Sequence, residues 1–133
     1  MAYTRAMNAA TQFGDPLVVT ATINISNAET NVPIKVPWDN VDLTYAYTVL
    51  TTIPTTSDVA LLLEIDAADG TTIGTATVTE SGSAVGDVDE FTLSAASSRK
   101  NLLNSNIINV SIDGGADAGQ FVLYLYFEPS EYA

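Results

Sequence analysis

Any chemistry in this chain has to come from oxygen and from amines, because it contains no histidine and no cysteine. That removes the usual general base, the thiolate nucleophile and the side chains that hold most zinc. Ser98 beside Lys100 offers a Ser–Lys dyad, although a loop serine next to a solvated lysine accounts for the same residues. A glycosidase needs only two carboxylates. With 16 acidic side chains present, no pair stands out, and no aromatic-lined cleft can be placed around one. Three acidic groups invite a calcium reading: Asp66 with Asp69-Gly70, Asp113 with Asp117, and Asp87, Asp89 and Glu90 together with a partner strand. The first two lack the alternating oxygen ligands and distal glutamate of a calcium loop and read as turns. Gly114-Gly115 has no following Lys-Ser/Thr helix, so it is not a phosphate loop. Trp38, Tyr45 and Tyr47 could make a sugar-stacking platform, but alternation puts both tyrosines on the face of Val41, Leu43 and Val49, which predicts a core location. No catalytic, cofactor-binding or metal-binding residue is assigned, and the chain is not expected to be an enzyme.

The elements that position these residues read as strands. Residues 107–112 alternate Ile108, Val110 and Ile112 against Asn109 and Ser111. Residues 120–128 carry Phe121, Leu123, Leu125 and Phe127 on one face and Val122, Tyr124 and Tyr126 on the other. A strand apolar on both faces sits mid-sheet with both sides covered, or lays its outer face against another chain. The strip Val122, Tyr124 and Tyr126 is therefore a candidate subunit interface. Between these strands, residues 113–119 are rich in types that accept positive φ, which predicts a β-hairpin.

Upstream, strand patterns fall at 17–25, 32–36, 41–53, 59–65, 71–78 and 88–93. Pro33 confines the second to an edge or a strand start. Asp69-Gly70 predicts a tight hairpin connection. The alternation breaks over 94–106, where a short helix or turn would carry Arg99 and Lys100 as an exposed basic pair. Eight strands with little helix predict an all-β, antiparallel β-sandwich of the jelly-roll kind. Residues 1–16 form a short N-terminal arm before it, and 17–133 the sandwich domain.

Length bounds this to one domain. Hydrophobic residues make up 47% and charged ones 15%, which suits a packed body rather than a disordered chain. No apolar run is long enough to span a bilayer, and the N-terminus lacks the apolar stretch of a signal peptide, so export and membrane insertion are not expected. Net charge is −12, and no Lys or Arg occurs between Lys35 and Arg99. Such a field repels phosphate backbones and argues against nucleic-acid binding.

The C-terminal third resembles small structural proteins of tailed-phage heads, namely capsid decoration (cement) proteins and head-fibre bases. The residues that carry the resemblance are Leu93-Ser-Ala-Ala-Ser-Ser-Arg-Lys-Asn-Leu-Leu103, Ile107-Ile-Asn-Val-Ser-Ile112, Ala116-Asp-Ala-Gly119 and Phe121-Val-Leu-Tyr-Leu-Tyr-Phe127. The resemblance implies a β-sandwich, often a homotrimer, made in the host cytoplasm and seated on the virion exterior. There it would brace neighbouring copies of the major capsid protein. The arm would act as a lattice clamp, with Tyr3, Arg5, Met7 and Phe13 as its contact residues. The alternative is a carbohydrate- or surface-binding β-sandwich module, also phage-borne, with an exposed aromatic row.

Overall fold

A computed structural model describes residues 17–25, 31–66, 71–95, 98–113 and 117–130. The arm at 1–16, with Tyr3, Arg5, Met7 and Phe13, lies outside the described residues, as do Asp69-Gly70 and Gly114-Gly115. Every strand pattern of the sequence becomes a strand: β1 (Leu17–Asn24), β2 (Asn31–Lys35), β3 (Val41–Thr52), β4 (Val59–Ile65), β5 (Thr71–Val78), β6 (Val88–Glu90), β7 (Thr92–Leu93), β8 (Ile107–Asp113) and β9 (Gln120–Pro129). The strands number nine rather than eight because one pattern, 88–93, splits at Phe91. Val88 to Glu90 pair with β3, and Thr92 and Leu93 pair with β5. Phe91 is buried at the crossing, and its N–H donates to Ala46 O at 2.9 Å. Gly74, opposite Leu93, makes room for this passage: a Cβ there would lie 3.1 Å from the Leu93 Cδ2.

The strands form two antiparallel sheets, β1-β9-β3-β6 and β2-β8-β4-β5-β7. Pairing β1 with β9, β2 with β8, β3 with β6 and β4 with β5 is what one long antiparallel ribbon gives when it is folded at β4–β5 and rolled up. This is the jelly roll, an all-β sandwich as expected.

Rolling the ribbon sends nearly every connection from one sheet to the other, and this corrects the expected C-terminal hairpin. β8 lies in the five-stranded sheet and β9 in the four-stranded one, so the two do not pair. Their apolar faces meet across the sandwich instead of lying side by side. Gly119, just before β9, has φ +142° and a position where a Cβ would come within 2.9 Å of Ile25 Cδ1.

The core lies between the sheets. Leu43, Leu50, Phe121, Leu123, Leu125 and Phe127 meet Val59, Leu61, Leu63, Ile73, Ile108 and Val110, all at 0–1% exposure. No α-helix occurs among the described residues, so the helix alternative for 94–106 is not realised there. Arg99 is not a free surface cation either. Its Nε donates to Ser94 O (2.9 Å) and its Nη1 to Leu43 O (2.8 Å), which fastens the loop to β3. Lys100 is exposed.

One inward polar group breaks the apolar layer. Thr48 on β3 is 1% exposed, and its hydroxyl has no hydrogen-bond partner among the described residues. Thr48→Val keeps the shape and removes the orphan, so it should stabilise the fold by about 1 kcal/mol. The gain is read as a higher urea midpoint with an unchanged slope.

Candidate functional site

On β3 the inward sequence is Val41, Leu43, Ala46, Thr48, Leu50, which is not a strict alternation. The register against β9 shifts between Leu43 and Tyr45, where a β-bulge inserts one extra residue. An odd insertion reverses the two faces of everything after it. Tyr45, Tyr47 and Val49 therefore point outward. The expectation that Tyr45 and Tyr47 join the core is corrected on this ground.

The reversal brings four tyrosines together. Tyr45 stands opposite Tyr126, and Tyr47 opposite Tyr124, across the β3–β9 pair. The Tyr47 and Tyr124 rings stack at 4.7 Å with planes 10° apart. Tyr45 lies 5.3 Å from Tyr47 and 5.5 Å from Tyr126, both tilted. A stack at the spacing of neighbouring strands means that these rings stand upright on the sheet, with faces turned to each other and edges toward solvent. Val122, Tyr124 and Tyr126 are half-buried on the outward face, while Phe121, Leu123, Leu125 and Phe127 behind them are fully buried. That division is the one the strand pattern predicts. Val18 on β1 and Val88 on β6 widen the patch, exposed at 40% and 54%.

The hydroxyls are tied at the rim. Tyr45 Oη donates to Glu90 Oε1 at 2.9 Å, and the Tyr47 and Tyr126 hydroxyls lie 3.4 Å apart. The bond to Glu90, then burial, then the Glu90 charge hold the Tyr45 hydroxyl above its ordinary range. Tyr47 is pushed up to about 12, first by its bond to Tyr126 and then by burial. A signal for this face was present in the sequence. Tyr-Ala-Tyr in β3 and Tyr-Leu-Tyr in β9 match in spacing, as two strands in register do. Glu90, Val18 and Val88 carried no comparable mark.

The acidic candidates among the described residues do not gather. Asp89 points to the opposite face of β6 from Val88 and Glu90, as alternation requires. Burial, and then the neighbouring Asp87, raise its carboxyl above the usual range. Asp87 Oδ2 accepts from Ala84 N (2.9 Å), and Glu90 serves Tyr45. Asp66 Oδ1 accepts from Ile107 N (3.2 Å) and Asn106 Nδ2 (3.1 Å), while Asp117 Oδ2 accepts from Thr56 Oγ1 (2.7 Å). Among the described residues no group of three His, Cys, Asp or Glu side chains is placed to hold a metal. Trp38 is partly buried against the core and stands apart from the tyrosine face, in the connection between β2 and β3.

No protein-family model and no curated protein matches this chain. Among solved structures, a chain described under "Bacillus endospore appendages form a novel family of disulfide-linked pili" is similar to it at 20% identity and a TM-score of 0.44. The match covers 88% of this chain and 93% of that one.

The tyrosine geometry sets a titration. In the unfolded chain Tyr47 ionises near 10.0, whereas in the fold it holds its proton to about 12. Unfolding releases a proton in that window, so stability falls as pH rises through it. Tyr126→Phe removes the partner hydroxyl and should move the Tyr47 midpoint down toward 10.0, read by tyrosinate absorbance. An unmoved midpoint in that variant would rule out the Tyr47–Tyr126 bond as the cause.

Proposed function

We propose that this chain is a non-catalytic structural protein that binds the exterior of a tailed-phage head and braces the shell as a decoration protein. The observation that supports the reading is the outer face of the four-stranded sheet. Four tyrosines and a fringe of valines stand there on a bulge-registered surface, with no Lys or Arg among the described residues of that face. An apolar strip of this kind, half-buried among the described residues, is a docking surface by physical expectation. Tyrosine adds large buried area with a hydroxyl that can find a polar partner. The phage head, with the major capsid protein as partner, is the assembly that the C-terminal resemblance implies. The face of Tyr45, Tyr47, Val122, Tyr124 and Tyr126, the last three of which the sequence predicts as a subunit interface, is assigned to that contact in this proposal. The N-terminal arm, through Tyr3, Arg5, Met7 and Phe13, would add a clamp to a body already docked.

The carbohydrate-binding alternative asks for something different. A sugar ring stacks on an open aromatic face, and Tyr47 and Tyr124 turn their faces to each other. The edges and hydroxyls they leave outward suit a protein surface better.

The test is co-sedimentation with purified phage heads. Tyr124→Lys with Tyr126→Lys should keep the β-type circular dichroism spectrum, because both side chains are only half-buried on the outer face. It should weaken attachment by roughly thirty-fold, the loss of one interface hot spot at about 2 kcal/mol. Heads that bind this variant as tightly as the wild type sink the proposal. Wild-type protein that ignores heads but is retained on a polysaccharide column favours the alternative.

A further inference from the structure

The two sheets leave four edge strands, and three of them are guarded. β7 is two residues long. β6 has three and carries Asp89 and Glu90. β2 has five, with Pro33 inside and Lys35 at its end. The stretches of β3 that β6 does not cover are closed by loops. Val41 and Leu102 exchange both backbone bonds, Leu43 N donates to Arg99 O, and Leu50 bonds Asp87 and Gly86. Short length, charge, proline and loop cover are the usual protections of an edge.

Among the described residues β1 has none of them. It is eight residues long, Leu-Val-Val-Thr-Ala-Thr-Ile-Asn, with no charge, proline or glycine. Its register on β9 runs without a bulge from Leu17 opposite Phe127 to Asn24 opposite Gln120. Among the described residues no strand pairs with its other edge. Leu17, Val19 and Ala21 point inward and pack on the core, yet stay partly exposed because the sheet stops at β1.

We propose that β1 is a strand-addition site for a second copy of this chain, the two β1 strands pairing antiparallel across a two-fold axis. Charge selects the occupant. Copies at −12 each repel over most of their surface, and β1 is an eight-residue edge where two of them meet without a charge between them. The strand is also self-complementary. An axis at Thr20 sets Thr20 opposite itself and Val18 opposite Thr22. An axis at Ala21 sets Thr20 opposite Thr22 and Val19 opposite Ile23. Either way β-branched and threonine side chains meet their like. Each copy covers the partly exposed Leu17, Val19 and Ala21 of the other. The pairing also closes, because a two-fold contact uses the one β1 edge of each copy. It therefore gives a dimer, not a fibre and not the trimer that the resemblance implies. The two tyrosine faces then lie on one side of a continuous sheet. This inference is independent of what those faces bind.

The experiment measures the mass of the full chain by size exclusion with light scattering. The wild type is expected at twice the chain mass. Thr20→Glu and Thr20→Lys each bring like charges close to the axis in both registers, on a side chain that is exposed in the single copy. Each variant alone should fall to half the wild-type mass with an unchanged circular dichroism spectrum. An equimolar mixture of the two should return to the dimer mass. Hydrogen exchange should show the β1 amides that face away from β9 slow in the wild type and fast in either variant. A wild type that runs as a monomer or a trimer overturns the proposal. So does a Thr20 variant that stays dimeric, or a mixture that stays monomeric. Tyr124→Lys with Tyr126→Lys keeps the dimer mass, so a failure of shell docking and a failure of strand addition are told apart.

Discussion

The outer surface of this protein depends on one extra residue in β3. Without the shift between Leu43 and Tyr45, strict alternation would drive Tyr45 and Tyr47 into the layer filled by Phe121 and Leu123. It would also turn Ala46, Thr48 and Leu50 out to solvent. Two phenol groups in that layer would need buried hydrogen-bond partners, and none of the core side chains there offers one. The bulge resolves the conflict by giving the interior the small and aliphatic residues and the exterior the aromatic ones. It costs one unpaired position in the ladder. Once β3 is reversed, β9 supplies the matching tyrosines, because its own alternation is unbroken.

The negative charge has a structural use that follows from the same topology. A jelly roll crosses between sheets at its ends, so its loops carry many backbone N–H groups with no strand beside them. Aspartates accept them. Asp39 caps Asn104 N, Asp42 caps Asn101 N, Asp58 caps Glu80 N and Asp87 caps Ala84 N, all at 2.8–2.9 Å. Carboxylates placed in this way order the crossings and concentrate charge at the loops. β1 is left without a charge, while the outer face of the four-stranded sheet keeps only Asp42, Glu90 and Glu128 among its described residues. An acidic protein can thus keep apolar surface available for contact.

Much of this was legible in the alternation of side chains. The spans of β1, β4 and β5, the buried and outward faces of β9 and the edge position implied by Pro33 all follow from a period of two and from a missing N–H. What was not legible is what alternation cannot encode. The bulge in β3 leaves no mark, because Thr44 is as good a strand residue as its neighbours. β8 and β9 read as a hairpin because a Gly/Asp-rich turn looks alike whether it joins paired strands or crosses a sandwich. The split at Phe91 is equally silent, since residues 88–93 keep a strand pattern through the change of sheet. The tyrosine face was half visible. Val122, Tyr124 and Tyr126 could be placed outward from one strand alone, while Tyr45 and Tyr47 required the register between two.

The outer face of the five-stranded sheet makes the opposite choice, and the contrast bears on orientation. There Glu64 and Asn109 are buried at 3% and 7%, yet their partners are polar. Ser111 Oγ donates to Glu64 Oε1, and Asn109 Nδ2 donates to Asn31 Oδ1 (3.1 Å) and Ser111 Oγ (3.1 Å). A satisfied network of this kind has little to gain from a partner that would have to replace its bonds. The tyrosine face gives up mainly water from ring edges when it is covered. Two faces built on the same ribbon therefore differ in what covering them costs. On the proposed reading, that difference would turn the aromatic sheet toward the shell and leave the polar sheet in solvent.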